Sequence, residues 1–171
     1  MRYLKTALAC AAAGAAFAMA PAWAVTNYGN GPGGAHYANG ESEPVCSPTD
    51  PLGMSCTDSI IGGVGHTNAA LRFSVTYSAT VTCTNKGGNT VEVKTQVPTS
   101  GTLTLRPSAK NGQLAVPAVS SSAPSGSDFE SQAVCPNPNW RKQMVSGSAA
   151  TEGYLYTLTF DGFANPFIEL P

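Results

Sequence analysis

The stretch Leu71–Cys83, LRFSVTYSATVTC, alternates without a break. Leu71, Phe73, Val75, Tyr77, Ala79, Val81 and Cys83 share one parity, and Arg72, Ser74, Thr76, Ser78, Thr80 and Thr82 share the other. Successive side chains of a strand point to opposite faces, so this segment reads as a strand with one face on a core and one in water. A period of 3.6 would scatter the same apolar residues around a cylinder, which makes helix the poor reading. The inward series ends on a cysteine, so the strand is expected to be bonded to a distant part of the chain.

The first residues have a different character. Arg2 and Lys5 open the chain, Ala7–Met19 is almost wholly apolar, and Ala22-Trp23-Ala24 closes the run. A charged start, an apolar centre and a small-residue ending form the pattern of a secretory signal peptide over residues 1–24. The apolar run is shorter than the roughly 20 residues a membrane-spanning helix needs. Taking 24 from 171 residues leaves 147, with 7 Lys+Arg against 10 Asp+Glu. That balance is mildly acidic and gives no electrostatic footprint for nucleic acid or an anionic membrane. The expected location is therefore secreted, extracellular or periplasmic, with no membrane insertion after cleavage.

Beyond Cys10, which falls in the signal segment, the cysteines are Cys46, Cys56, Cys83 and Cys135. An even number in an exported chain implies two disulfides, with three connectivities open. The simplest joins Cys46 to Cys56 across a short Pro- and Gly-containing loop, and Cys83 to Cys135.

In chain order, residues 25–40 (VTNYGNGPGGAHYANG) lack apolar periodicity and are expected as a flexible Gly/Asn-rich arm. Residues 41–171 form the folded domain. Its first part, to Gly65, is loop-like around Pro44, Pro48 and Pro51, with a short strand and turn at Ile60–Gly65. Thr84–Asn89 is a Gly-Gly turn leading into Thr90–Val97, a second alternating strand that Pro98 is expected to end. Gly101–Leu105 and Gln113–Val119 are expected to pair, Ser120–Ser127 to be a connection, and Gly153–Phe160 to be a strand facing Tyr154, Tyr156, Leu158 and Phe160 to the core. About seven strands and no helical periodicity give the fold class: a single, all-β, disulfide-braced antiparallel sandwich, immunoglobulin-like in architecture.

Two segments, Thr82-Cys83-Thr84-Asn85-Lys86-Gly87-Gly88-Asn89 and Cys135-Pro136-Asn137-Pro138-Asn139-Trp140, resemble a pattern of small exported bacterial β-sandwich proteins. The resemblance covers roughly residues 75–145 and implies an exported sandwich with no particular activity.

Chemistry is sparse. Beyond the signal segment the histidines are His36 and His66, too few for a zinc site once the cysteines are oxidised. There is no G-x-S-x-G elbow and no S-x-x-K. No metal or cofactor is expected, and no catalytic residue is assigned. Trp140, flanked by Asn139 and Arg141, is the candidate ligand-binding group; a ring stacked on a sugar competes with a ring packed beside the disulfide. The expected function is a non-catalytic binding or structural module of the cell envelope or extracellular space, with a protein or glycan as its macromolecular partner. The alternatives are a carbohydrate-binding module or small glycan-acting enzyme, and a fimbrial-type subunit.

Overall fold

The computed structural model describes residues 24–108 and 112–171. All but the last residue of the expected signal segment lie outside them. The described elements are β1 (Val25–Thr26), β2 (His36–Tyr37), β3 (Cys46–Thr49), β4 (Gly53–Cys56), β5 (Ser59–Gly62), β6 (Ala69–Thr84), β7 (Thr90–Leu105), β8 (Leu114–Val116), β9 (Val119–Ser122), α1 (Gly126–Gln132), β10 (Arg141–Met144), β11 (Ala150–Phe160) and β12 (Ile168–Leu170). The protein is all-β, with antiparallel sheets and two disulfides.

β6 holds the large sheet together. One of its edges is paired along its whole length with β7, from Ala69↔Leu105 to Thr84↔Thr90. The other edge is shared, with β11 on its first half and β10 on its second. β12 and then β1 extend the sheet beyond β11. The inward parity read from the sequence is the buried one: Leu71, Phe73, Val75, Tyr77, Ala79, Val81 and Cys83 are all buried. Two three-stranded sheets, β2-β5-β8 and β3-β4-β9, contribute Ile61, Leu114, Val116 and Met54 to the same core, giving a sandwich-like arrangement. Among the described residues no helix is long and apolar enough to cross a membrane.

Both disulfides have the simplest connectivity. Cys46–Cys56 joins directly opposed residues of β3 and β4. Cys83–Cys135 joins the end of β6 to the segment after α1. Phe129 plugs α1 into the core, and Glu130 accepts a hydrogen bond from the Met144 N–H of β10 (2.9 Å), so the helix is tied to the sheet edge.

Four expectations are corrected. The strand does not stop at Pro98 but runs through it for 16 residues. Gly101–Leu105 stays on β6, while Leu114–Val116 pairs with β5 and Val119–Ser122 with β4. The Ser120–Ser127 connection is the end of β9 followed by the start of α1, where the Ser125 N–H donates to Asp128 Oδ2 (2.8 Å) and caps the first turn. The expected flexible arm is tied down instead. β1 pairs with β12, β2 pairs with β5, and the Tyr37 hydroxyl lies 2.7 Å from Thr26 Oγ1. Burial pushes the Tyr37 phenol up to about 12, so this hydroxyl keeps its proton as a hydrogen-bonding group at neutral pH.

On the outer face, β11 carries a bulge between Thr151 and Gly153. It aims Glu152 across β6, where the carboxylate accepts from Ser78 Oγ on β6 and pairs with Lys94 Nζ on β7 at 2.7 Å. The hydrogen bond from Lys94, then that from Ser78, then the lysine's charge hold the Glu152 carboxyl below its ordinary value. A depressed acid stabilises the fold above its unfolded pKa, about 4.3 for Glu, and that contribution is lost as pH falls through the lowered folded value. Lys94→Ala is expected to move the Glu152 midpoint upward, read from its carboxyl carbon shift in an NMR titration. An unchanged midpoint would show that Lys94 does not govern it.

Candidate functional site

The direction of β7's backbone groups follows from its neighbour. In an antiparallel pair, residues alternate between exchanging hydrogen bonds and pointing their N–H and C=O groups away. The Val145 N–H donates to Thr80 O, and the Asp161 N–H donates to Asn68 O, so even-numbered residues of β6 face β10 and β11. The Asn85 N–H donates to Asn89 O, so odd-numbered ones face β7. The β7 residues opposite the even set are themselves even, from Glu92 to Thr104. Their backbone groups therefore point to the open edge, where β7 has no strand partner among the described residues. Pro98 belongs to this set. Its missing N–H leaves the β6 ladder intact and interrupts only the outer edge, which is why a proline is tolerated in mid-strand.

The outer edge is thereby divided. Towards Thr90 it carries Glu92 and Lys94, charges of the kind that guard an edge. Beyond Pro98 it reads Ser100-Gly101-Thr102-Leu103-Thr104, with no charge at all.

Alongside this uncharged stretch runs a trough. Its floor is Leu71 and Phe73; one wall is β7 from Thr99 to Leu103, and the other is β9 from Val119 to Ser121, enclosing about 320 Å³. The same two walls continue as Thr104–Arg106 and Ala115–Ala118 into a wider recess of about 710 Å³ that Asp58 also lines. The trough closes at one end, where Ser121 bridges the layers. Its carbonyl accepts from the Tyr77 hydroxyl (3.0 Å), and its Oγ lies 2.7 Å from Thr99 Oγ1. Gly101 keeps the trough open: it is paired with Phe73, and a Cβ built on it meets nothing within 4 Å. Leu103, two residues on and of the same inward parity, is 45% exposed although its side faces the core layer.

No family model, curated protein or solved structure matches this chain.

The residues singled out from the sequence do not assemble a second site. Trp140 is half-buried and lies outside the core cluster, so it does not plug the sandwich beside the disulfide. Asn139 and Arg141 are exposed; the Asn139 N–H donates to Asn137 Oδ1, and the Arg141 guanidinium donates to Gln143 Oε1 (2.9 Å) rather than turning to the ring. Cys46, Cys56, Cys83 and Cys135 are all consumed in the two bridges. His36 rests with its Nδ1 on Gly34 O (2.7 Å), and His66 is exposed in another turn. Among the described residues no three of His, Cys, Asp and Glu come together in a group that could hold a metal.

The trough is not among the sequence expectations, because an expected strand end at Pro98 removes its β7 wall. The signal was present: Val91, Val93, Val97, Thr99, Leu103 and Leu105 keep one parity straight through the proline. Chemically, the outer edge of β7 offers free backbone donors and acceptors, and the trough next to it an apolar floor. An extended polypeptide supplies the complement of both.

Proposed function

We propose that this protein is an exported, non-catalytic binding module that takes an extended polypeptide segment as an added strand on the outer edge of β7. The observation that supports it is the Ser100–Thr104 edge, uncharged, with outward N–H groups at Ser100, Thr102 and Thr104, next to the trough that Leu71 and Phe73 floor on the inner face of the sheet. Strand addition draws its affinity from main-chain hydrogen bonds and its selectivity from pockets for alternate side chains. Here the pocket is the open space over Gly101, where a Cβ would meet nothing within 4 Å. Export is supported by the N-terminal signal pattern and by two disulfides, which persist in oxidising compartments.

The test is amide hydrogen exchange of the purified protein with synthetic peptides of alternating Val and Thr, and with scrambled or proline-substituted controls. The alternating peptides are expected to slow exchange at Ser100, Thr102 and Thr104 selectively. Thr102→Pro should abolish the effect while leaving the fold intact, because it deletes an outward donor as Pro98 already does. Peptides that leave these three amides unprotected, or robust hydrolase activity in the pure protein, would overturn the reading.

A further inference from the structure

We propose that the strand received on this edge is the same strand of a second copy, paired antiparallel about a two-fold axis through Thr102. This rests on the strand-addition reading above and names its occupant.

The segment Ser100–Thr104 is its own complement. With Thr102 opposite Thr102 of the other copy, Ser100 falls opposite Thr104, and these even residues are the ones whose N–H and C=O groups point outward. Each copy gives three donors and three acceptors, and all find partners across the axis. One step further, Pro98 would face Arg106 with no N–H to give, so the ladder ends there.

The odd residues settle the register. They form the closely spaced, non-hydrogen-bonded pairs, in which side chains on one face meet directly. In this register Leu103 lies opposite Gly101 of the second copy. Leu103 is the exposed apolar group of this segment, and Gly101 is the gap beside Phe73. Two-fold symmetry makes the contact twice, so each copy's leucine fills the other's gap. Shifting the axis to Gly101 sets glycine against glycine and leaves the gap empty. Shifting it to Leu103 sets Ser100 against Arg106, beyond the end of the strand, and needs Leu105 to fill the gap although it already packs on its own core.

Charge does not oppose the pairing, since Ser100–Thr104 contains no ionisable side chain. A five-residue strand pair is small beside the 1,200–2,000 Å² or so of a standard stable interface. The association is therefore weak and concentration-dependent, and the closed two-fold limits it to a dimer.

Sedimentation velocity of the purified protein from about 10 μM to about 1 mM tests it. The expected result is a shift from monomer towards dimer, absent in Thr102→Pro at unchanged melting temperature. Cysteine placement tests the register independently. Residues in a hydrogen-bonded pair have Cα atoms about 5.5 Å apart, within disulfide reach. Thr102→Cys should thus link two copies in a glutathione redox buffer, whereas Ser100→Cys, set far from its own symmetry mate, should not. A monomer throughout the range, a Thr102→Pro variant that still dimerises, or linkage at residue 100 as efficient as at 102 would overturn the proposal. A monomeric protein whose Ser100, Thr102 and Thr104 amides are nonetheless protected by extended peptides removes the second copy as occupant and leaves strand addition standing. A monomer with no peptide protection removes both.

Discussion

Removing the Cys83–Cys135 bridge is expected to lower stability by about 4 kcal/mol, the chain-entropy value for a loop of some fifty residues. For a chain of this size that corresponds to a fall in melting temperature of roughly 8–16 °C. The bridge spans 52 residues of sequence and anchors the end of β6, where Cys83 is fully buried. What it restrains is specific. α1 and β10 both lie close to Cys135, and β10 pairs with β6 at Lys142↔Cys83. Calorimetry of a Cys83→Ala, Cys135→Ser variant measures the effect; alanine at the buried position avoids leaving a hydroxyl without a partner. Hydrogen exchange should quicken first between Ala133 and Met144. Replacing Cys46 and Cys56, both buried, by alanine is expected to cost less, because the bond joins residues only 10 apart that the β3–β4 ladder already opposes. Equal losses for the two bridges would contradict this ordering.

Phe167→Ala is expected to cost about 3–5 kcal/mol, the range for deleting a buried aromatic ring. Phe167 is fully buried, with its ring centroid 5.2 Å from that of Phe160 and 5.6 Å from that of Tyr28, both edge-on. Its backbone works in both directions, donating to Leu158 O (2.7 Å) and accepting from the Asn27 N–H (2.8 Å). Gly31 lies so close that a Cβ there would come within 2.7 Å of the ring. One side chain thus fastens the segment from Val25 to Gly31 onto the large sheet. Urea unfolding gives the stability loss, and exchange at residues 24–31 should rise far more than at β6. Tyr28→Ala, which removes an exposed ring from the other side of the same contact, should loosen that segment at a smaller global cost. Retained protection of residues 24–31 in Phe167→Ala would show that β1–β12 pairing alone holds them.

Phe167 also explains why the order of that segment is not legible in its own sequence. Residues 25–40 contain little that is apolar, and the groups that hold them lie far off in sequence: Phe160, Phe167 and β12 for the first part, and Ile61 and Gly62 of β5 for His36 and Tyr37. No local pattern records such a contact. β6 was legible because burial of one face writes itself as period 2, and the cysteine at its inward end pointed to the longer bridge. α1 is too short to show a 3.6 period; its mark in the sequence is the Ser125-to-Asp128 capping spacing. The trough was out of reach for a different reason. Its two walls, β7 and β9, are not bonded to each other as strands but are placed by separate partners, β6 and β4. In the sequence Pro98 reads as a stop and Gly101–Leu105 as a separate strand paired with Gln113–Val119, so the continuous β7 wall does not emerge.

The pairing of β6 with β7 has a consequence for how the chain assembles. Their turn is short, closed by the Asn85–Asn89 backbone bond and by Gly88 at a φ of +81°. Closing so small a loop is entropically cheap, whereas β11 meets β6 across some seventy residues or more. The hairpin is therefore the early unit, and for a time both of its outer edges lie open to other nascent chains. β6 meets that interval with Arg72 as its one charge and no proline, but its exposure ends once β11 and β10 dock. On β7, among the described residues, no further strand of the same chain docks. It is there that Lys94 and Pro98 stand.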